Sequence, residues 1–493
     1  MNFHGVSFST SNIYFMKNKI FKISLLSLLT ISFIACDNDD DNSNENTTIS
    51  GSDLTQYSSG SEIMMQSFFW DVPEGGIWWD FIKGHMDDWA IAGIDKVWLP
   101  QFAKSGSGAV SMGYDPADYF DLGEYNQYGT VETRFGSKEE LLSLIDEIHN
   151  QGMEVIADIV INHNGGGAEE LNTLTGETKY TLFNQATQTN LSGRFDRTWQ
   201  DFHPNNEFES DEEAGFFPER DLCLQCPRVQ DELWLNTNSV AQYYKNELGI
   251  DGWRFDYVKG FNPNVVKQWN EATGGLFSVG ENFDGNATVL KDWVDASASS
   301  AFDFAAFYNM EKAFDSQRNL TLLNDNALFK IYPDKAVTFA GNHDTDDREE
   351  QGPTGYINTQ FKNLAYAYIL THPGTPTIFY SDYEQKLDKT ELDNLMLINK
   401  TIASGDLTVI NVSKQEYIAR REGKDDNPGL IIYFNISSSP KTQTVLTNWK
   451  NATLFDYSNN TTFSNEADLP ITDANGLATL TVEPNSYAIW SIK

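Results

Sequence analysis

The sequence predicts an α/β fold: a (β/α)8 TIM barrel with an inserted subdomain after strand 3 and a C-terminal antiparallel β domain. Three observations lead there. From Ile63 onward, short apolar strands alternate with helical patterns, as a parallel sheet with crossover helices requires. The link after the third strand is far longer than ordinary barrel loops. After about Gly405 the pattern changes to short alternating strands separated by Asn, Ser, Gly and Pro turns, which marks an antiparallel domain.

Eight strands read in order as Glu62 to Phe69, Asp95 to Leu99, Glu154 to Ile161, Gly252 to Val258, Phe277 to Glu281, Ala301 to Phe307, Ala336 to Ala340 and Thr375 to Tyr380. Helical spacing falls between them, over Lys138 to Asn150 and Ser239 to Leu248. An open doubly wound sheet would call for a Gly-rich phosphate turn, and none is found. Residues 164–235 are too many for a structureless loop, so they are expected to form the inserted subdomain, leaving 61–163 and 236–404 to the barrel. Residues 405–493 supply the β domain, with strands expected at Gly429 to Asn435, Ala452 to Tyr457 and Ala478 to Val482. The absence of a repeat of roughly 20–50 residues disfavours a solenoid or propeller.

The first sixty residues do not read as fold. Lys17, Lys19 and Lys22 flank an apolar run from Ile23 to Ala35, too short to span a bilayer and of the length of an export signal, with Met16 a candidate start. The run ends Phe33, Ile34, Ala35, Cys36, which resembles a bacterial lipobox apart from Phe33 in place of the usual Leu. That resemblance implies a leader with its lipobox over residues 1–36, cut immediately before Cys36, and acylation of Cys36 as the new N-terminus, hence an exported, membrane-anchored lipoprotein. Residues 37–60 are too polar to fold and read as a flexible tether. Its acidic DNDDDN run resembles surface-export signals of Gram-negative lipoproteins, and a generic solvated spacer explains the run equally well. Lys and Arg total 34 against 71 Asp and Glu, a formal charge of −37 that repels phosphate backbones and argues against nucleic acid as a partner. Twelve Trp, 21 Tyr and 32 Phe suit both a dense core and stacking on sugar faces.

Polar residues at the C-terminal ends of parallel barrel strands gather around one pocket. Four strand ends share a vocabulary: DIVINH (158–163), GWRFDYVKG (252–260), VGEN (279–282) and GNHD (341–344). One apolar run ending in a carboxylate is often just a strand meeting solvent, but four in barrel order point to a carboxylate-based site. Arg254 stands two residues before Asp256, on the same face of the strand, and is placed to pair with it.

These boxes resemble those of the alpha-amylase family of glycoside hydrolases. IWWDFIKGHMDDWAIAGIDKVWLP, SMGYDPADYFDLGEYNQYGTVETRFGSKEEL, DFHPN, NHDTD and IFYSDYE extend the resemblance from Ile63 to Glu384, most closely to its archaeal and plant-like members. The resemblance implies that Asp256 is the nucleophile, Glu281 the general acid/base and Asp344 the transition-state stabiliser of retaining endo-hydrolysis of internal alpha-1,4 bonds in starch-like glucans. Such chemistry needs one ionised carboxylate at the anomeric carbon and one protonated carboxyl at the leaving oxygen. It also implies that His163 and His343 hydrogen-bond sugar hydroxyls, that Tyr114 is a stacking platform, and that Lys259 contacts the leaving-group side. Trp78 and Trp79 are expected in the core.

The resemblance extends to metals. Asn162, Gly260, Asp211 and Asp221 are the implied oxygen donors of a structural Ca2+ that pins the insertion to the barrel, a donor set suited to a hard cation. Archaeal relatives hold zinc beside DFHPN with a His and two Cys. His203, Cys223 and Cys226 are the matching candidates for Zn2+, and a CxxC disulfide is the competing reading of the two cysteines. Other functions compatible with the boxes are a transglycosylase or maltogenic exo-enzyme of the same family, or a glycan-binding lipoprotein without catalysis. The last would be marked by loss of a catalytic carboxylate, and all three are present.

Overall fold

The computed structural model describes residues 54–210, 220–347, 355–458 and 468–493. The export signal, Cys36, most of the tether and Asp211 lie outside the described residues. Eight strands, β1 (Met64–Gln66), β2 (Lys96–Leu99), β3 (Glu154–Ile159), β4 (Gly252–Phe255), β5 (Phe277–Gly280), β6 (Ser300–Phe302), β7 (Ala336–Phe339) and β8 (Thr375–Phe379), pair in parallel and in chain order. β8 closes on β1 with Met65 opposite Ile378, so the barrel has no free edge.

The strands carry continuous rather than alternating apolar character because both faces are covered: one fills the barrel and the other meets helices. All four residues of β2, β4 and β7 are buried. Lys96, the one charged residue of β2, reaches the rim to pair with Glu154 at 2.5 Å and Glu62 at 3.1 Å. The helix Lys138–Asn150 forms as expected. Ser137 and Glu140 close a capping box at its start, and Leu141, Leu144, Ile145 and Ile148 recur on one buried face. The second expected helix is realised from Val240 to Leu248 with Ser239 as its cap, its side chain accepting from Gln242 N–H.

The sixth strand departs from expectation. Only Ser300–Phe302 is extended, and the apolar residues that follow belong to a helix, Phe304–Met310. Asp303 makes the switch by accepting from the N–H groups of Ala306 and Phe329, each at 2.9 Å. The run Phe304 to Phe307 is buried throughout, and in a fully apolar stretch periodicity does not separate strand from helix.

Between β3 and β4 the chain builds a hairpin (Ala168–Asn172 with Glu177–Leu182) and returns through short helical turns. Beyond the barrel, β9 (Leu407–Val412), β10 (Glu416–Arg421), β11 (Leu430–Asn435), β12 (Lys441–Leu446), β13 (Phe455–Asp456), β14 (Leu477–Val482) and β15 (Ser486–Ser491) form antiparallel sheets. Five of them follow the order β9-β10-β11-β15-β13, and β12 pairs with β14. The strand expected over Ala452 to Tyr457 is reduced to Phe455–Asp456. Phe434 of β11 and Tyr417 of β10 pack on Phe314 and Tyr368, joining this sheet to the barrel helices through aromatic burial.

Candidate active site

Because the eight strands point the same way, the residues at their C-terminal ends share one rim. Arg254, in β4, is fully buried and is the hub. Its guanidinium contacts Asp158 of β3 at 2.8 Å, Asp256 at 2.7 Å and Glu281, just after β5, at 2.5 Å. The Glu281 contact lacks hydrogen-bond alignment, whereas the two Asp contacts are hydrogen bonds. A planar cation with several N–H donors spread over a fixed fork can serve carboxylates that approach from different strands. Asp158 also accepts from Trp98 Nε1 and Tyr114 O–H, each at 3.1 Å, and Trp98 lies under the guanidinium.

The two candidate reacting carboxyls differ in surroundings. Burial pushes Glu281 well above the usual carboxylate range; Arg254 opposes this, and the charges of Asp256 and Asp344 reinforce it. A carboxyl so placed keeps its proton for donation. Burial likewise raises Asp158 against the pull of Arg254. Arg254 is held charged despite its burial by Asp158, Glu281 and Asp256. Tyr257, directly after Asp256, takes φ +43°, a conformation costly by about 1–3 kcal/mol for a residue with a Cβ, and its N–H points to Glu281 Oε2 at 3.2 Å.

After β7 the chain turns sharply. Asn342 Oδ1 accepts from the N–H groups of Asp344 and Thr345, holding Asp344 at the rim next to His343. His343 Nδ1 faces Gln66 Nε2 of β1 at 2.7 Å, which sets its ring. The rings of His343 and Tyr114 are nearly parallel at 5.2 Å, and Trp70 stacks against both, at 5.9 and 5.8 Å. Trp70 remains 37% exposed, so this aromatic wall has an open face beside the carboxylates. A cleft of about 340 Å³ lined by Trp70, Asp71, Tyr114, Asp115 and Arg134 continues from it.

A buried cation binding a carboxylate triad, with a flat aromatic wall at its side, suits a sugar ring undergoing acid-assisted cleavage. Comparison with known proteins agrees. The family described as Alpha amylase, catalytic domain, matches residues 79–463. The chain belongs to the alpha-amylase family of glycoside hydrolases. Among relatives, it is 28% identical to the cytoplasmic alpha-amylase of Escherichia coli, over 87% of this chain and 98% of that one. It is 29% identical to an alpha-amylase of Geobacillus stearothermophilus, over 76% and 77% of the two chains. The solved alpha-amylase of Geobacillus thermoleovorans shares the fold with a TM-score of 0.66 at 18% identity, covering 88% of this chain and 98% of the other.

In this alpha-amylase family member, Asp256, Glu281, Asp344, Arg254, Tyr114 and His343 thus come together as the sequence suggests. His163 does so less directly: its Nε2 meets the Tyr114 carbonyl at 2.8 Å, and burial lowers its proton affinity. It therefore braces the segment that carries Tyr114. Lys259 lies at the edge, paired with Asp284 at 3.1 Å. Trp78 and Trp79 are in the core. Sequence reasoning passed over Trp70, Asp158 and Gln66. Asp158 opens the DIVINH box and could have been found there, while Trp70 lies beyond β1 with nothing local to separate it from other aromatics.

The metal candidates divide. Asn162 is buried with both side-chain polar atoms unpartnered, and Gly260 lies against it so closely that a Cβ there would come within 1.9 Å of Asn162 Oδ1. Asp221 is also buried nearby: residue 222 donates its N–H to the Asn162 carbonyl at 2.9 Å. An orphaned amide oxygen, a carboxylate and a close-approaching backbone fit a hard cation. The zinc reading is corrected. Cys223 and Cys226 are joined in a disulfide, so neither sulfur is a thiolate able to ligate, and His203 Nδ1 is engaged with Asp221 at 2.9 Å.

Proposed function

We propose that the protein is a retaining endo-acting alpha-amylase that hydrolyses internal alpha-1,4 bonds of starch-like glucans. The observation that carries this reading is the Arg254 hub, which holds Asp256 and Glu281 at one rim with Asp344 beside them. Asp256 attacks the anomeric carbon as the nucleophile, and its pairing with Arg254 orients one oxygen while leaving the other for the sugar. Glu281, kept protonated by burial, donates to the glycosidic oxygen, then as a carboxylate takes a proton from the water that cleaves the glycosyl ester. Asp344 stabilises the positive charge that develops on the ring. Trp70, Tyr114 and His343 form the wall on which that ring rests, and Lys259 serves the leaving-group side.

A structural Ca2+ held by Asn162, Asp221 and the Gly260 backbone, with Asp211 from outside the described residues, would join the insertion to the barrel. When bound, it supplies cross-linking and takes no part in the chemistry. The lipobox-like run further supports an exported lipoprotein, tethered to a Gram-negative membrane surface through Cys36.

The test is incubation with soluble starch, pullulan and a cyclic dextrin, followed by sizing of the products and determination of their anomeric form. Early mixed oligosaccharides of alpha configuration from starch support the reading. Release of a single short product from chain ends would favour a maltogenic exo-enzyme, and longer products than substrates a transglycosylase.

A further inference from the structure

The turn that presents Asp344 rests on charges outside the active site. Asp346, two residues on, is buried and accepts from Lys386 Nζ, which lies after β8 and also donates to the Asp347 carbonyl at 3.1 Å. Asp347 in turn accepts from Thr359 N–H at 3.1 Å, at the start of the helix Thr359–Thr371. At 3.9 Å from the same Asp346 oxygen is Lys362 of that helix, fully buried and committed to both oxygens of Asp382 at 2.6 and 2.8 Å. Asp382 also receives the Tyr366 hydroxyl at 2.8 Å. Gly341, which opens the GNHD turn, lies against this pair: a Cβ there would come within 2.9 Å of Lys362 Nζ.

The four charges are balanced in sign but not in attachment. Lys362 and Asp382 satisfy one another, so Lys386 is the main partner of Asp346, and of the two lysines it is the one that also grips the turn's backbone among the described residues. A short turn fixed at Asn342 on one side and at Asp346–Asp347 on the other leaves Asp344 little freedom between them. We propose that Lys386, through Asp346, is a positioning residue that sets the Asp344 carboxylate for the transition state. This rests on the amylase reading above. Lys386 is far along the chain from the four boxes and does not touch the reacting atoms, so it acts only through the turn. Loss of its grip would let Asp344 drift by a fraction of its own length, and misplacement of about 1 Å lowers turnover by up to about a hundredfold.

The test compares Lys386→Met, Lys386→Arg, Asp346→Asn and the Lys386→Met/Asp346→Asn pair with the wild type on soluble starch, with thermal unfolding measured for each. Lys386→Met is expected to lower kcat by about tenfold to a hundredfold with KM within about twofold, and Lys386→Arg to recover most of the loss. The pair should lose no more than the worse single variant, because both changes remove one contact. Wild-type turnover by Lys386→Met in an active enzyme, losses that multiply in the pair, or a fall in KM and kcat that merely follows lost stability would each overturn the proposal. An inactive wild type would instead overturn the amylase reading.

Discussion

Replacing Arg254 with Met removes the one cation shared by Asp158, Asp256 and Glu281 and leaves a buried carboxylate cluster without a counter-charge. Breaking a buried ion pair by deleting one partner costs about 3–5 kcal/mol. With an unfolding entropy of about 2.1 cal/mol/K per residue, the 493-residue chain has about 1 kcal/mol/K at its midpoint, so the deficit reads as a Tm lowered by about 3–5 °C near neutral pH. The deficit has a pH signature. Arg254 opposes the rise in proton affinity of Asp158 and Glu281, so its removal raises both further in the folded protein. A carboxyl with a raised folded pKa keeps its proton when the unfolded chain, at about 4, has released it. Folding stability is then lost as pH rises from the unfolded value through the folded one. The Tm gap between variant and wild type should therefore be small near pH 4 and widen toward neutrality, as differential scanning calorimetry across pH would show. Arg254→Lys should retain part of the stability, and both variants should lose activity by at least on the order of a hundredfold because Asp256 is no longer oriented. A Tm gap that is absent at neutral pH, or equal at all pH values, would refute the hub.

Glu281, with its proton affinity raised by burial, should set the alkaline limb of the kcat/KM profile: activity falls as pH rises through its folded-state pKa, and a limb unmoved in Asp344→Asn would count against the coupling of these charges. Glu281→Gln should spare substrates whose leaving group needs no proton while losing starch hydrolysis, which a panel of aryl glycosides would resolve. Exhaustive chelation should lower Tm more than it lowers the initial rate at moderate temperature, and unchanged melting with no calcium by metal analysis would speak against the cation. Cys36→Ser should shift the protein from the membrane to the soluble fraction on cell fractionation, and retention in the membrane would dismiss the anchor.

The barrel and its reactive rim were legible because they rest on local rules. Each strand is an apolar run, and the boxes at the strand ends are short local motifs, so their resemblance to those of the alpha-amylase family was enough to nominate Asp256, Glu281 and Asp344. The sixth strand was misread in extent because Phe304 to Phe307 are apolar in every direction and only Asp303, acting as a cap, reveals the helix. The cysteines could not be assigned from their spacing alone, since CxxC serves metals and disulfides equally; it is their pairing that removes the zinc candidates. Trp70 and the Lys386 contact were invisible for another reason. Trp70 meets Tyr114 and His343 across two other strand ends, and Lys386 meets Asp346 across β8, so both depend on closure of the barrel rather than on any short stretch of chain.

Covalent capture tests the assignment of Asp256 most directly. The enzyme would be incubated with a fluorinated alpha-glucosyl donor that slows breakdown of the glycosyl ester, then digested and sequenced by tandem mass spectrometry. The expected result is one glycosyl adduct per chain, on Asp256, absent from Asp256→Asn. An adduct on another carboxylate, or hydrolysis of the donor with inverted anomeric configuration and no adduct, would contradict it.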